Sequence, residues 1–458
     1  MDITESLAAY CATTAGTELP PETTAQAKRV LLDTIGIAIG SQRARSTPIV
    51  LDSIADLDGG GGSTTVLATG ERLQPPYAAM ANGALAHSLD FDETHRAGSV
   101  HAAAPVLGAA LAAGEDHDAS GSELLAAFVG GYEVTARLGM ALNSEAHYAR
   151  GFHATSTCGV FGAAAATCMI AGADAKTIER AFGIAGSQAA GSLQFLEDGS
   201  WNKRIHPGLA AHSGYIAATF AENEFLATTN PIEGPRGFLQ AYSDDPRPER
   251  ARDGLGESYE IDRTGLKPYP VCRFLHPVID GAVELVTAND LSPEQIEAIR
   301  VELSSSGHQL VGEPTKQFPE TVVDGQFSLP FVTMLAVTRR EVTVDTLFDA
   351  LADELSPTER RLIEATEAVA DEWADERYPE QWAVNVAIET ADETVETRVL
   401  DAKGDPETPL SWADVTKKFD RLVEPVIGAD AGRTVRERVR SIEDRPVASV
   451  LEPLADAD

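Results

Sequence analysis

The chain has 458 residues, more than one ordinary hydrophobic core accommodates, so two domains are expected. Lys and Arg together number 36 against 71 Asp and Glu, a net charge of -35. Such a charge repels nucleic acid and anionic lipid, which excludes both as partners of a phosphate-tracking surface.

The basic residues are unevenly divided, with 8 Lys and 28 Arg. An acidic, lysine-poor surface suits a protein kept in high salt, where screening removes the self-repulsion. The chain therefore reads as halophilic in type. Its N-terminus, Met1-Asp2-Ile3-Thr4-Glu5-Ser6, is acidic and has no apolar signal core, so a cytoplasmic location is expected. Cys11, Cys158, Cys168 and Cys272 are scattered and form no C-x-x-C, which argues against a zinc site or an iron–sulfur cluster.

Residues 4–40 predict two helices, broken at Leu19-Pro20-Pro21. Asp58-Gly59-Gly60-Gly61-Gly62-Ser63 lacks the Gly-Lys-Ser/Thr of a phosphate cradle and reads as a turn. From 75 to 227 the texture is helical and rich in Ala and Gly, which allows helices to pack backbone to backbone. Val160 to Ala173 is too short for a membrane span and reads as a buried helix. Residues 228–250 hold several prolines and glycines and read as loop around one short helix. Beyond about 262 the pattern changes. Ile299–Leu303, Trp382–Ile388 and Val395–Val399 alternate like half-buried strands, whereas Leu347–Leu355 and Pro357–Ala374 look helical. Trp412 to Leu451 returns to amphipathic helix. The expected fold is mainly α: a large all-helical domain over 1–264 and 405–458, and a smaller α+β domain over 265–404.

Four polar islands interrupt this texture. Asp90-Phe91-Asp92-Glu93-Thr94-His95-Arg96-Ala97-Gly98-Ser99-Val100-His101 sets carboxylates, a hydroxyl and two imidazoles between apolar helices. Burying such groups is unfavourable unless they are paired or used, and they supply the donors and acceptors that acid–base chemistry needs. Gly151-Phe152-His153-Ala154-Thr155 opens a small-residue helix, and capping or packing is the ordinary fate of a lone histidine there. Lys203-Arg204-Ile205-His206 precedes another, with a structural ion pair as the plainer reading. Lys267-Pro268-Tyr269-Pro270-Val271-Cys272-Arg273 leads to His276 and is stiffened by its prolines. Held cations in an acidic chain suggest an anionic ligand, and Arg forks match carboxylates. A His or Asp beside them can remove a proton α to a carboxylate, with the cations stabilising the enolate.

These islands resemble the signature stretches of the MmgE/PrpD family. The matching pieces are Ala81-Asn82-Gly83 with Ala86-His87-Ser88-Leu89-Asp90-Phe91-Asp92-Glu93-Thr94, then Gly151–Thr155, Lys203–Ala211, Lys267–Cys272, and Gln326-Phe327-Ser328-Leu329-Pro330-Phe331, in family order. The resemblance implies a helical domain with an α+β lid, a homodimer, and no metal or organic cofactor. It implies a lyase acting on a small polycarboxylate: a dehydratase of a branched hydroxy acid such as 2-methylcitrate, or a decarboxylase or epimerase of a related acid. It places His101, Asp90, His153, Lys203 and Lys267 in the catalytic group. Thr94, Arg204, His206, Arg273 and His276 join them as substrate-binding residues. Two departures from the family pattern stand out. One residue more separates Thr94 from His101 than in the decarboxylase-like pattern, and Phe331 occupies a place where several family members carry a pocket tyrosine, which speaks against decarboxylase activity. Gln194–Ser200 is a further candidate for setting the substrate. Two other classes fit the same residues. His87, Asp90, Asp92, His95 and His101 could ligate a metal in a hydrolase, and the fold could serve as an inactive scaffold.

Overall fold

The computed structural model describes residues 1–15 and 17–455. The chain divides into two compact units, Met1–Gly265 with the chain from Ser411 onward, and Leu266–Leu410.

The first unit opens with α1 (Ile3–Thr14) and α2 (Pro21–Gly40), where Pro21 takes the first helical position and loses no hydrogen bond there. Then comes α3 (Thr47–Asp58), which ends at Gly59 with a φ of 73°. Gly60 and Gly61 follow with φ of 85° each, so the glycine run is a left-handed turn that side chains would strain. A short antiparallel pair, β1 (Thr64–Thr65) and β2 (Arg72–Leu73), leads into the helical core. That core comprises α4 (Pro75–His87), α5 (Ala103–Asp116), α6 (Gly121–Leu142), α7 (Ser144–Ala149), α8 (Ala154–Ile170), α9 (Ala175–Ala185) and α10 (Asn202–Glu222). The short α11 (Phe238–Tyr242) lies in the proline-rich stretch that follows. Between α4 and α5 runs β3 (Thr94–His95), antiparallel to β4 (Thr264–Gly265).

The small residues do bring backbones together. A Cβ on Gly108 of α5 would sit 2.6 Å from Ala79 O of α4, and one on Gly208 of α10 would sit 2.4 Å from Met80 O. No side chain fits at either contact, so α5 and α10 both lie directly on α4. Every residue of α8 is buried, as a core helix requires. Among the described residues no helix is long and apolar enough to cross a membrane.

The second unit contains α12 (His276–Ala288), β5 (Ile296–Leu303), α13 (Ser305–Gly307), α14 (Val322–Gln326), α15 (Leu329–Arg339), α16 (Val344–Ala352), α17 (Pro357–Glu364), β6 (Thr366–Ala370), α18 (Glu372–Asp375), β7 (Val384–Thr390) and β8 (Thr394–Val399). Its four strands lie in the order β6-β5-β7-β8, with β6 parallel to β5 and the other pairings antiparallel. Helix α12 covers β7 and β8, so that a Cβ on Gly281 would touch Val386, Thr397 and Val399. The helix expected over 357–374 stops at Glu364 instead, and Thr366 pairs with Ile299. A parallel partner so far away in sequence leaves no local pattern in the strand itself. Residues 405–410 stay with this unit, because Gly404 N donates to Thr408 O at 2.8 Å and Asp405 Oδ2 accepts from Ala402 N at 3.0 Å.

The chain returns to the first unit with α19 (Trp412–Arg440) and α20 (Val447–Ala455). Gly428, at φ 77° and ψ 161°, breaks α19 into two arms, and Arg436 of the second arm reaches back to Asp420 of the first. The first arm packs on α2, with Lys418 Nζ 2.8 Å from Asp33 Oδ1.

Candidate functional site

The polar island after α4 is folded into the first unit and held from two sides. Lys418 also donates to Phe91 O at 2.8 Å, so one buried cation ties α2, α19 and the island. On the other side, His95 Nε2 lies 3.0 Å from Glu260 Oε2, while Gly98 N donates to His95 Nδ1 at 3.1 Å. The second bond requires an unprotonated Nδ1, so Nε2 carries the hydrogen towards Glu260. Glu260 belongs to a buried network. Its backbone N donates to Glu133, whose other oxygen accepts from Arg137 Nε at 2.9 Å. Burial pushes Glu133 up to about 7 even though Arg137 opposes the shift.

Within this frame His101 is oriented by its own segment. Its Nδ1 lies 2.6 Å from Glu93 O, and a carbonyl only accepts, so Nδ1 carries the hydrogen and Nε2 is left as the basic nitrogen. Glu93 Oε1 in turn accepts from Ala103 N at 2.8 Å, which places a carboxylate on the first turn of α5. His101 N donates to Thr155 Oγ1 of α8 at 3.1 Å.

His87, the last residue of α4, lies beside it. Its Nδ1 is 2.6 Å from Asp92 Oδ2, and both side chains are fully buried. Its ring centroid is 5.1 Å from that of His101 and 5.8 Å from that of His153. His153 continues the array: its Nδ1 is 3.1 Å from His206 Nδ1, so one of the two donates to the other. Burial lowers both of these histidines, with neighbouring imidazoles and Lys203 adding to the shift; His206 falls to about 4 and His153 well below its ordinary value. His87 is also lowered by burial, against the pull of Asp92. These three rings are therefore neutral at neutral pH.

Helix α10 supplies the cations. Lys203 Nζ donates to Asp90 Oδ1. Asp90 has a left-handed φ of 52°, which Asp tolerates better than most side chains. Arg204 is buried, which lowers its guanidinium to about 10, with Asp90 opposing. On the far side of His206 is a cavity of about 450 Å³ lined by Ser156, Gln194, Asp198, Ser200 and Asn202, among others. The stretch 194–200 thus contributes Gln194, Phe195, Asp198 and Ser200 to its wall.

The first unit therefore brings together Asp90, His101, His153, Lys203, Arg204 and His206. Thr94 lies in β3, with its Oγ1 buried and without a hydrogen-bond partner among the described residues. Lys267, Arg273 and His276 lie in the second unit, and all three are buried. There Arg273 pairs with Asp405, and His276 Nε2 donates to Val271 O at 3.2 Å. Phe331 is buried in α15, its backbone N donating to Ser328 Oγ at 3.2 Å. Among the described residues, no group of three or more His, Cys, Asp or Glu side chains is arranged to hold a metal ion. The supports of the site, Asp33 and Lys418 with Glu133, Arg137 and Glu260, carry no sequence signal, since each reads as an ordinary charged residue of an amphipathic helix or loop.

Comparison with known proteins follows the same lines. Residues 5–251 match the MmgE/PrpD N-terminal domain and residues 269–444 the MmgE/PrpD C-terminal domain. A cis-aconitate decarboxylase-like protein, oryM, of Aspergillus oryzae is 26% identical over 95% of this chain and 93% of its own length. The cis-aconitate decarboxylase of Homo sapiens is 26% identical over 94% of this chain and 89% of its own. That of Aspergillus terreus is 26% identical over 72% and 70%.

Proposed function

The chain belongs to the MmgE/PrpD family, and we propose that it is a lyase of small polycarboxylates, working by proton transfer at the carbon α to a carboxylate. The observation that carries this reading is the state of His101. A backbone carbonyl takes its Nδ1 hydrogen at 2.6 Å, so Nε2 is presented as a base. Lys203 stands in the same unit, next to Asp90, as a cation for a substrate carboxylate and for the enolate charge that follows. Asp90 holds the ammonium in place. The family resemblance of the segment around Lys267 assigns a second substrate cation to that residue, and that of the neighbouring stretches assigns binding roles to Thr94, Arg204, His206, Arg273 and His276.

In the first reading the reaction is dehydration of a branched hydroxy tricarboxylate such as 2-methylcitrate. His101 takes the α-proton, the enolate forms against Lys203, and the hydroxyl leaves as water on the proton that the His101 imidazolium gives back. Phe331 supports this reading over its neighbour, because it offers no hydroxyl where the family resemblance places a tyrosine. The second reading is decarboxylation of cis-aconitate, supported by the names of the similar proteins of Aspergillus oryzae, Aspergillus terreus and Homo sapiens. The deciding experiment incubates the purified chain in concentrated salt with 2-methylcitrate and with cis-aconitate, following alkene formation and carbon dioxide release. Alkene from 2-methylcitrate is expected; carbon dioxide from cis-aconitate alone establishes the second reading. Activity lost to a chelator and restored by a divalent metal overturns the mechanism. The homodimer implied by the resemblance is decided by light scattering on the same sample.

A further inference from the structure

His95 is 1% exposed, yet both of its ring nitrogens and both of its main-chain groups are bonded. Nε2 lies 3.0 Å from Glu260 Oε2, and Nδ1 accepts from Gly98 N at 3.1 Å. His95 N donates to Val100 O at 2.9 Å, and Val100 N donates back to His95 O at 3.4 Å. These bonds close residues 95–100 into a loop. Its turn is made by Ser99, which donates from N to Arg96 O at 3.0 Å and has a left-handed φ of 51°. On its other edge His95 stands opposite Thr264 of β4. The loop is pressed onto α6, since a Cβ on Gly98 would sit 2.8 Å from Ala136 O and 3.1 Å from His95 Nδ1.

His101 follows Val100 directly, and its ring turns back across the loop to the carbonyl of Glu93, just before β3. The imidazole and the carbonyl that fixes its tautomer thus stand on the two opposed strands of one small ladder. Slipping such a pairing by one residue carries every side chain to the other face. A slip here takes the His101 ring away from Glu93 O, and without that carbonyl its hydrogen distributes over both nitrogens. His95 joins the ladder, the turn at Gly98 and the buried Glu260 in one side chain. Glu260 Oε1 already has two cations, Arg137 Nη2 at 3.7 Å and Arg263 Nη1 at 3.3 Å. The carboxylate is therefore compensated without His95, and the bond between them serves to aim the ring. We infer that His95 is a positioning residue that holds the register of this loop and so keeps Nε2 of His101 the basic nitrogen. Both of its own nitrogens are engaged, so its part is to hold rather than to transfer a proton. Its effect on turnover rests on the lyase reading; its effect on the His101 ring does not.

The test uses the full chain with His95→Leu, His95→Gln and Gly98→Ala. Leucine removes both ring bonds, whereas the glutamine amide offers a donor to Glu260 and an acceptor to Gly98 N. Alanine at 98 drives the loop against Ala136 O and leaves the histidine present. In ¹⁵N-histidine-labelled wild type without substrate, His101 should carry its hydrogen on Nδ1. His95→Leu and Gly98→Ala should show it divided between Nδ1 and Nε2, and His95→Gln should restore the single form. With 2-methylcitrate and cis-aconitate, kcat of the first two should fall by about 10–100-fold, the scale of a misplaced reacting group, with KM held within about threefold. His95→Gln should stay within about threefold of wild type in both constants. An unchanged His101 tautomer in a folded His95→Leu chain overturns the inference, and so does an unchanged kcat. A glutamine variant as slow as the leucine variant also overturns it, since the imidazole would then do more than hold. If His95→Leu does not fold, the same two readouts on Gly98→Ala decide. A wild type inactive on both acids, with tautomers that shift as expected, overturns the lyase reading and leaves the positioning of His101 standing.

Discussion

Single residues decide which imidazole can act. His101 and His87 are both held through Nδ1, but a neutral carbonyl holds the first and a carboxylate the second. His101 is also the less buried of the two, with its side chain 13% exposed. Replacing it by Ala should lower kcat by about 10²–10⁴-fold with the circular dichroism spectrum unchanged. A folded variant with near-normal turnover would move the role to His153. His206 makes a prediction about stability. Its folded value of about 4 lies below the ordinary 6.5. As pH falls through that window the unfolded chain gains a proton that the folded chain refuses, so stability drops. His153 works in the same direction, and Glu133, raised to about 7, works against both. His206→Gln should therefore flatten the loss of stability between about pH 6.5 and 4 in urea titrations. An unchanged slope would show that His206 is protonated in the fold. At this scale the sequence was informative wherever a polar group interrupted an apolar helix, as with Asp90, His101, His153 and Lys203. His87 was harder to read, because it closes a helix of small residues as an ordinary C-terminal histidine would.

Elements place those residues, and the contacts that do so are remote in sequence. Helix α10 can hold Lys203 over Asp90 only because Gly208 lets it lie on α4. The Ala and Gly texture of residues 75–227 announced such packing, and the strands with clear alternation, β5, β7 and β8, were legible for the same local reason. β6 was not, since its pairing with β5 is non-local. Nor was the link from Lys418 to Asp33, 385 residues apart, although it anchors the polar segment after α4 through Phe91 O. Burial pushes Asp33 up and Lys418 draws it back, so the carboxylate depends on its partner. Lys418→Met should leave Asp33 buried and alone, at a cost of about 3–5 kcal/mol. The melting temperature should fall clearly, and adding Asp33→Asn should recover part of the loss. An unchanged melting temperature in the single variant would mean that the pair contributes nothing to holding α2 and α19 together.

At the scale of the whole molecule, composition speaks most directly. A net charge of -35 accompanies only 8 lysines, and of these Lys267 and Lys418 are buried while Lys203 is paired with Asp90. The solvent-facing surface is therefore poorer still in lysine, and the chain's carboxylates outnumber its cations, 71 to 36. Their mutual repulsion acts across about 10 Å at 0.1 M salt and about 3 Å at 1 M. Raising the salt should therefore stabilise the fold strongly up to molar concentration, beyond what a neutral osmolyte achieves. The control separates two causes. Sucrose strengthens apolar burial by exclusion but screens nothing. Potassium chloride at low and molar concentration screens without adding buried contacts. Thermal melts in potassium chloride should climb steeply at first and level off as the screening length falls below the spacing of surface carboxylates. Melts in sucrose without salt should show only a shallow rise. A melting temperature that is flat in potassium chloride would mean that these carboxylates are already neutralised in the fold, and that the acidic surface serves something other than life in salt.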